Sequence, residues 1–369
     1  MDHMHPIRRW VNLPLLVFIS LLVLYGSVVV QSATSGMEFG PGLFRRHLIG
    51  VVIGLVPMAI AWAIDYRDFK GWLGPLVLLD ALLILAPRIP GLGYEAGGAA
   101  SWLAIGGVRL FQPSEPAKLV TILIMAIVIS QYKGRIESPK DVARVISYLL
   151  VPLGLILLQP DLGTGLVFVA ITMGMLLVGG MKPRWFLVLL LIGAVSVGVV
   201  LKADLLKTYQ KNRLLVFVDP SLDPSGAGYN LAQSKIAIGS GGLTGKGLGL
   251  STQGNLNFLP ERHTDFIFAV LGEELGFMGA LLLLGLYLAL LITALEISAQ
   301  SRDLFGSLIV AGIISMWLFQ ILENIGMTVG LMPITGIPLP LMSFGSSFMV
   351  TNLAATGMLL SVWGRRSGV

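Results

Sequence analysis

Leu259-Pro-Glu-Arg-His-Thr-Asp-Phe-Ile-Phe268 closes a long polar loop and opens an apolar run that continues to about residue 293. A run of that length can cross ~30 Å of hydrocarbon as a helix, which takes about 17–25 apolar residues. Asp265 therefore stands at the lip of a membrane span, where a carboxylate can reach water while the chain around it lies in lipid. Two readings of it are open. Thr264 or Asp265 can cap the helix that follows, favoured by the positive end of its dipole. Alternatively, Asp265 is a general base, ionised at neutral pH and ready to accept a proton.

The rest of the 369-residue chain follows the same pattern, being 55% hydrophobic and 12% charged with mean hydropathy +0.84. Soluble domains carry roughly 25% charged residues. Ten runs read as spans, at about 13–32, 47–64, 71–87, 115–132, 142–158, 164–180, 184–201, 265–293, 304–326 and 343–363. The chain is predicted to be an all-α polytopic membrane protein, a single membrane domain over 1–369, with a long extracytoplasmic loop at about 202–264 between spans seven and eight. The eighth run is too long for one straight span, so it tilts or its first turns stand outside the hydrocarbon. With the N-terminus inside, the cytoplasmic loops and ends hold thirteen Lys and Arg, from Arg8 and Arg9 to Arg365 and Arg366. The short outer loops hold only Arg45, Arg46, Arg88 and Arg109. That bias predicts both termini in the cytoplasm. The first run is too long for a cleaved signal sequence and is read as a span. The absence of cysteine excludes disulfides, Cys-ligated metals and a thiol nucleophile. The net charge of +5 mostly reflects the inside bias and does not imply nucleic acid.

Three segments interrupt the spans. Residues 88–114, with Gly97-Gly98 and Gly106-Gly107, are too glycine-rich for a helix and are predicted to be a folded loop on or in the outer leaflet. The order from Gly228 to Gly239 suits a short amphipathic interfacial helix. Leu331 to Ser347, with three prolines and two glycines at membrane depth, is broken backbone, tolerated only where protein or a watery cavity surrounds it. No internal repeat is visible, which counts against a secondary transporter.

Few residues could carry chemistry. Ser114-Glu-Pro116 reads as a helix start capped by Ser114, with Glu115 in the first turn. Lys118 lies one turn deeper on the same face, so the two form an i,i+3 ion pair that membrane burial marks as functional. Asp161, in Gln159-Pro-Asp-Leu-Gly163, has a sufficient explanation as a turn residue. Asp80 and Glu323 are single acids within spans, for which a proton relay stays open. Gly241-Gly-Leu-Thr-Gly-Lys-Gly247 lacks the Ser/Thr and the strand of a P-loop, although its amides could hold a diphosphate. Four histidines, two of them at the extreme N-terminus, make a His-ligated metal site improbable, and His263 reads as a solvated loop residue.

Taken together, Leu259 to Gly276, Gln112-Pro-Ser-Glu-Pro-Ala-Lys118, Gln159 to Thr164 and the Pro333 to Ser347 run resemble the SEDS family of bacterial cell-wall polymerases, over nearly the whole chain and in the same order. The short N-terminal tail and Arg262 before His263 resemble its elongation member more than its division or sporulation members. The resemblance implies a glycosyltransferase that polymerises lipid II, an undecaprenyl-diphosphate-linked disaccharide-pentapeptide, at the outer face of the bacterial cytoplasmic membrane. It makes Asp265 the essential aspartate, places Glu115, Lys118 and Asp161 in the cavity beside it, and matches Arg109, Gln233 and Ser234 to loop positions of the family. Arg46, Arg213, Arg262, Ser343 and Ser346 complete the expected cavity. It also implies a class B penicillin-binding protein as partner within the elongation machinery, expected on spans eight and nine and the long loop.

The implied chemistry is inverting: Asp265 takes the proton of a sugar 4-hydroxyl, which displaces a lipid diphosphate from an anomeric carbon. A cation must meet the diphosphate. Arg109, Lys118, Arg46, Arg213 or a divalent metal, Mg or Mn, are the candidates. No other cofactor is expected. The rivals are a lipid II flippase, which would need polar residues through the full depth, and a scaffold for the transpeptidase.

Overall fold

The computed structural model describes residues 10–96, 99–105, 108–203, 208–224, 226–255 and 258–366. In chain order the α-helices of eight residues or more are α1 Leu13–Ser35, α2 Gly40–Ala63, α3 Leu73–Leu85, α4 Ser114–Ser130, α5 Pro139–Leu157, α6 Leu162–Val178, α7 Pro183–Lys202, α8 Thr208–Leu215, α9 Ala227–Gly241, α10 Ile267–Ala299, α11 Leu304–Val329 and α12 Ser346–Gly364. Each expected span meets a helix, and six of the helices are long and apolar enough to cross a membrane by length and composition alone. Arg8 and Arg9, counted in the charge bias, lie outside the described residues. The helix starts follow local chemistry. Ser138 and Asp141 form a reciprocal capping box on α5, and Asp303 caps α11 through the Gly306 amide at 2.9 Å.

Between α3 and α4 the chain forms a three-stranded antiparallel sheet, β1 Gly93–Ala96, β2 Ala99–Ile105 and β3 Val108–Phe111, in that order. The expected folded loop over 88–114 is thus built on a small sheet. The glycine pairs at 97–98 and 106–107 lie outside the described residues.

Helix α4 is buried on nearly every face from Ser114 to Ile129, and with α11 and α12 it forms the centre of the bundle. Other helices pack around this centre. At one end of the bundle Lys70 pairs with Asp303 at 2.6 Å and Arg365 with Asp65 at 3.4 Å. The first turns of α4, α6, α10 and α12 lie at the other end, as alternating spans require. The expected interfacial helix exists as α9, but it rests on protein. Ser234 donates to the Thr328 carbonyl at 2.8 Å, and Leu231 and Ala237 share a small core with Leu259, Phe266 and Met327.

The long eighth run resolves into two helices meeting at Gly276, whose φ of 63° and ψ of −161° only glycine adopts readily. A break in a helix strands amides and carbonyls, and the glycine-rich segment supplies partners for them. Lys246 and Gly247 donate their amides to the Glu273 and Glu274 carbonyls at 3.0 and 2.9 Å. The Phe277 and Met278 amides donate to the Gly242 and Leu243 carbonyls at 2.9 and 3.0 Å. The Lys246 ammonium then pairs with the fully buried Glu273 at 2.6 Å. Residues 241–247 are therefore a splint for α10, and three of the amides proposed for a diphosphate, those of Gly245, Lys246 and Gly247, are already used. A Cβ at Gly276 would lie 2.4 Å from the Gly245 nitrogen. Gly276→Ala is accordingly expected to cost about 1–3 kcal/mol in backbone strain alone, read as a lower thermal midpoint in detergent.

Candidate active site

Asp265 lies just outside the first helical turn of α10, in a turn closed by its own amide and that of Phe266, both donating to the Glu261 carbonyl at 3.1 Å. The cap position of α10 is Phe266, with no side-chain hydrogen bond. Neither Thr264 nor Asp265 is a helix cap, which removes the structural explanation of the carboxylate. The turn is bolted to the broken segment after α11. The Asn324 side-chain amide donates to the carbonyls of both Asp265 and Ile337 at 2.8 Å, Ser343 donates to the Thr264 carbonyl at 2.7 Å, and the Phe344 amide donates to the His263 carbonyl at 2.9 Å. The segment itself is buried as expected, with Leu339, Leu341 and Met342 fully enclosed and Tyr287 donating to the Pro340 carbonyl at 2.5 Å.

The carboxylate faces Gly336 and Arg213. A Cβ on Gly336, whose φ is 77°, would lie 3.0 Å from Asp265 Oδ2 and 3.8 Å from Arg213 Nη1. Glycine at this position keeps the space open. Asp265 is half-buried, and its desolvation, reinforced by the charge of Glu261, pushes its carboxyl up to about 7. Arg213 and the Thr264 hydroxyl pull the other way. An acid balanced near neutrality is suited to taking and releasing a proton in each cycle.

Glu115 and Lys118 form the expected ion pair, at 2.7 Å and buried on both sides, and Lys118 Nζ sits 5.5 Å from the centre of the Phe348 ring. Glu115 Oε2 is buried without a hydrogen-bond partner among the described residues. The helix start differs from expectation: Pro113 holds the cap position and the Ser114 hydroxyl bonds nothing described. The pair reaches the Asp265 turn through one stretch, in which Ser343 and Phe344 hold Thr264 and His263, and Phe348 lies beside Lys118. Asp161 caps α6, its two oxygens accepting from the Thr164 amide and hydroxyl at 3.0 and 2.8 Å. Two residues on, Gly163 packs beneath Thr335, so the α6 start borders the same segment.

Other expected cavity residues hold the frame. Arg262 is buried and donates through Nε to the Ala33 carbonyl at 2.8 Å, tying the turn to the end of α1. Ser234 and Ser343 hold backbone carbonyls, and Ser346 packs against Gly50 of α2. Gln233 is half-buried on α9, and Arg46 is exposed on α2. Arg109 is on β3, and its side chain lies outside the described part of the structure. Among the described residues, no group of three or more His, Asp, Glu or Cys side chains could hold a metal ion. Arg213 is the cation the structure puts beside Asp265. Sequence reasoning passed over Asn324, Thr335 and Gly336. Asn324, a polar residue inside an apolar span, was the one signal available.

A profile of the FtsW, RodA and SpoVE family, described as cell cycle proteins, matches residues 8–367. The chain belongs to the FtsW/RodA/SpoVE family. Peptidoglycan glycosyltransferase MrdB of Escherichia coli strain K12, a relative in sequence, is 39% identical over 348 residues, 94% of this chain and 92% of the relative. Stage V sporulation protein E of Bacillus subtilis strain 168 is 38% identical over 356 residues, 94% of this chain and 96% of the relative. Among solved structures, a chain described under structural coordination of polymerization and crosslinking by a peptidoglycan synthase complex superposes with TM-score 0.81 at 32% identity, over 97% of this chain and 99% of the other. The rod shape determining protein RodA of Thermus thermophilus gives TM-score 0.71 at 29% identity, over 97% and 98%. The FtsW/RodA/SpoVE match is the one the four motifs resembled, and it spans every element that builds the Asp265 site.

Proposed function

We propose that Asp265 is the general base of glycan polymerisation by this chain, a peptidoglycan glycosyltransferase of cell-wall synthesis and cell shape. The observation that carries the assignment is a half-buried carboxylate, excluded from capping α10, set near neutrality and faced by a guanidinium. The acceptor sugar of one lipid II presents its 4-hydroxyl to Asp265, which takes the proton as the oxygen attacks the anomeric carbon of a second lipid II. The new glycosidic C–O bond forms as the bond to the diphosphate breaks, and the electron pair leaves with the diphosphate. One displacement from an α-linked donor gives the inverted, β-1,4 product, so a second catalytic carboxylate of the kind used by glycosidases is unnecessary. Arg213 meets the charge gathering on the diphosphate, with Lys118 as a second cation.

The site opens on the extracytoplasmic side of the membrane in this reading, with both termini in the cytoplasm. A class B penicillin-binding protein is the partner, consistent with the synthase complex among the structural relatives. Exposed apolar residues of α10, among them Phe277, Leu281, Leu288 and Ile292, leave room for a partner's membrane helix. Nothing favours lipid transport. Asp80 and Glu323, the acids at depth, are bonded locally by Thr121 and Thr335.

The test is the pH dependence of polymer formation by the purified protein from lipid II. Asp265 must be ionised to act, so activity is present above about pH 7 and falls as the pH drops through that value. The decline should approach tenfold per unit. A rate independent of pH between 5 and 8 would contradict a base with this environment.

A further inference from the structure

Helix α11 carries a second carboxylate toward the same site, and the mechanism above leaves it without a role. Glu323 is buried, its Oε1 accepts a short hydrogen bond from the Thr335 hydroxyl, and its Oε2 is enclosed with no hydrogen-bond partner among the described residues. The next residue, Asn324, bonds the carbonyls of Ile337 and Asp265 at 2.8 Å each. Consecutive residues of one helix thus grip both ends of the tripeptide Thr335-Gly336-Ile337. Its middle member is the glycine against which Asp265 Oδ2 rests. Gly163 at the start of α6 backs Thr335, where a Cβ would come 2.9 Å from the Thr335 carbonyl oxygen, so the tripeptide has no room to withdraw.

We propose that Glu323 is a positioning residue for the transfer, holding the Thr335–Ile337 strip against Asp265. Asn324 fixes the Ile337 end of the strip and Glu323 the Thr335 end, so the Thr335 hydroxyl needs an acceptor at this place for Gly336 to stay against Asp265.

This inference rests on Asp265 as the base, and the experiment separates the two. Polymer formation from lipid II is followed from pH 5 to 9 for the full-length wild type, Asp265→Asn, Glu323→Gln, Glu323→Val, Thr335→Val and Thr335→Ser. The expected result is a rate about tenfold lower in Glu323→Val, which leaves the Thr335 hydroxyl without its acceptor, and most of the rate kept by Glu323→Gln, whose side-chain carbonyl still accepts from it. Thr335→Val is expected to lose about tenfold in rate through misplacement of the strip, and Thr335→Ser to recover most of it. Glu323→Val or Thr335→Val at the wild-type rate overturns the role of Glu323 and leaves the base assignment intact. An active Asp265→Asn overturns the base itself.

Discussion

Asp265→Asn is expected to give a folded protein that makes no detectable glycan from lipid II, with a loss of about 10²–10⁴-fold from the missing base. Stability is expected to move the other way. The carboxyl of Asp265 sits at about 7 in the folded protein, well above its ordinary 3.8, because burial and Glu261 disfavour the charge. The folded state thus holds the proton more tightly than the unfolded chain, and above pH 7 the ionised group opposes folding. The neutral amide lifts that penalty, so the variant should melt at the same temperature as the wild type or higher at pH 8. The difference should shrink steadily as the pH falls below 7 and vanish only near 3.8, where Asp265 is protonated in the folded and unfolded chains alike. A residue whose role was to cap α10 would behave oppositely. Loss of stability at pH 8 together with retained polymerisation would return Asp265 to a structural role.

The sequence made the frame legible because lipid imposes one rule on every span: about 20 apolar residues with all backbone groups bonded internally. That rule has no purchase where the chain leaves the membrane. The sheet between α3 and α4 was read as a loop, since its strands are short and its signal lies in glycine pairs that also occur in irregular turns. At the site, residue type was readable and direction was not. Arg213 and Arg262 are both basic residues in or beside the long loop, yet one faces Asp265 and the other is buried against the Ala33 carbonyl. Only the packing of the turn onto α1 and α11 distinguishes them. Asn324 and Gly336 went unnoticed for a related reason. Each acts through backbone placement, one by holding two carbonyls and the other by lacking a side chain, and neither use has a sequence motif of its own.

Lys118→Met is the second large effect, because the ammonium it removes is the partner of a carboxylate that is itself 4% exposed. Breaking a buried ion pair on one side costs about 3–5 kcal/mol, whereas replacing both members by neutral groups of similar size is often nearly neutral. The single variant should therefore lose much of its thermal stability, and Glu115→Gln with Lys118→Met should regain most of it. Stability and activity then part company. If the pair only knits α4 to the first turn of α12, the double variant polymerises lipid II as the wild type does. If Lys118 turns part of its charge to the departing diphosphate, the double variant is folded and slow, by about 10²-fold for one lost electrostatic contact. The second outcome is expected. Glu115 Oε2 has no bonded partner among the described residues, so the pair is not saturated from within, and the stretch from Ser343 to Phe348 joins it to the turn that carries Asp265. A melting curve and a polymerisation rate measured on the same double variant decide between them.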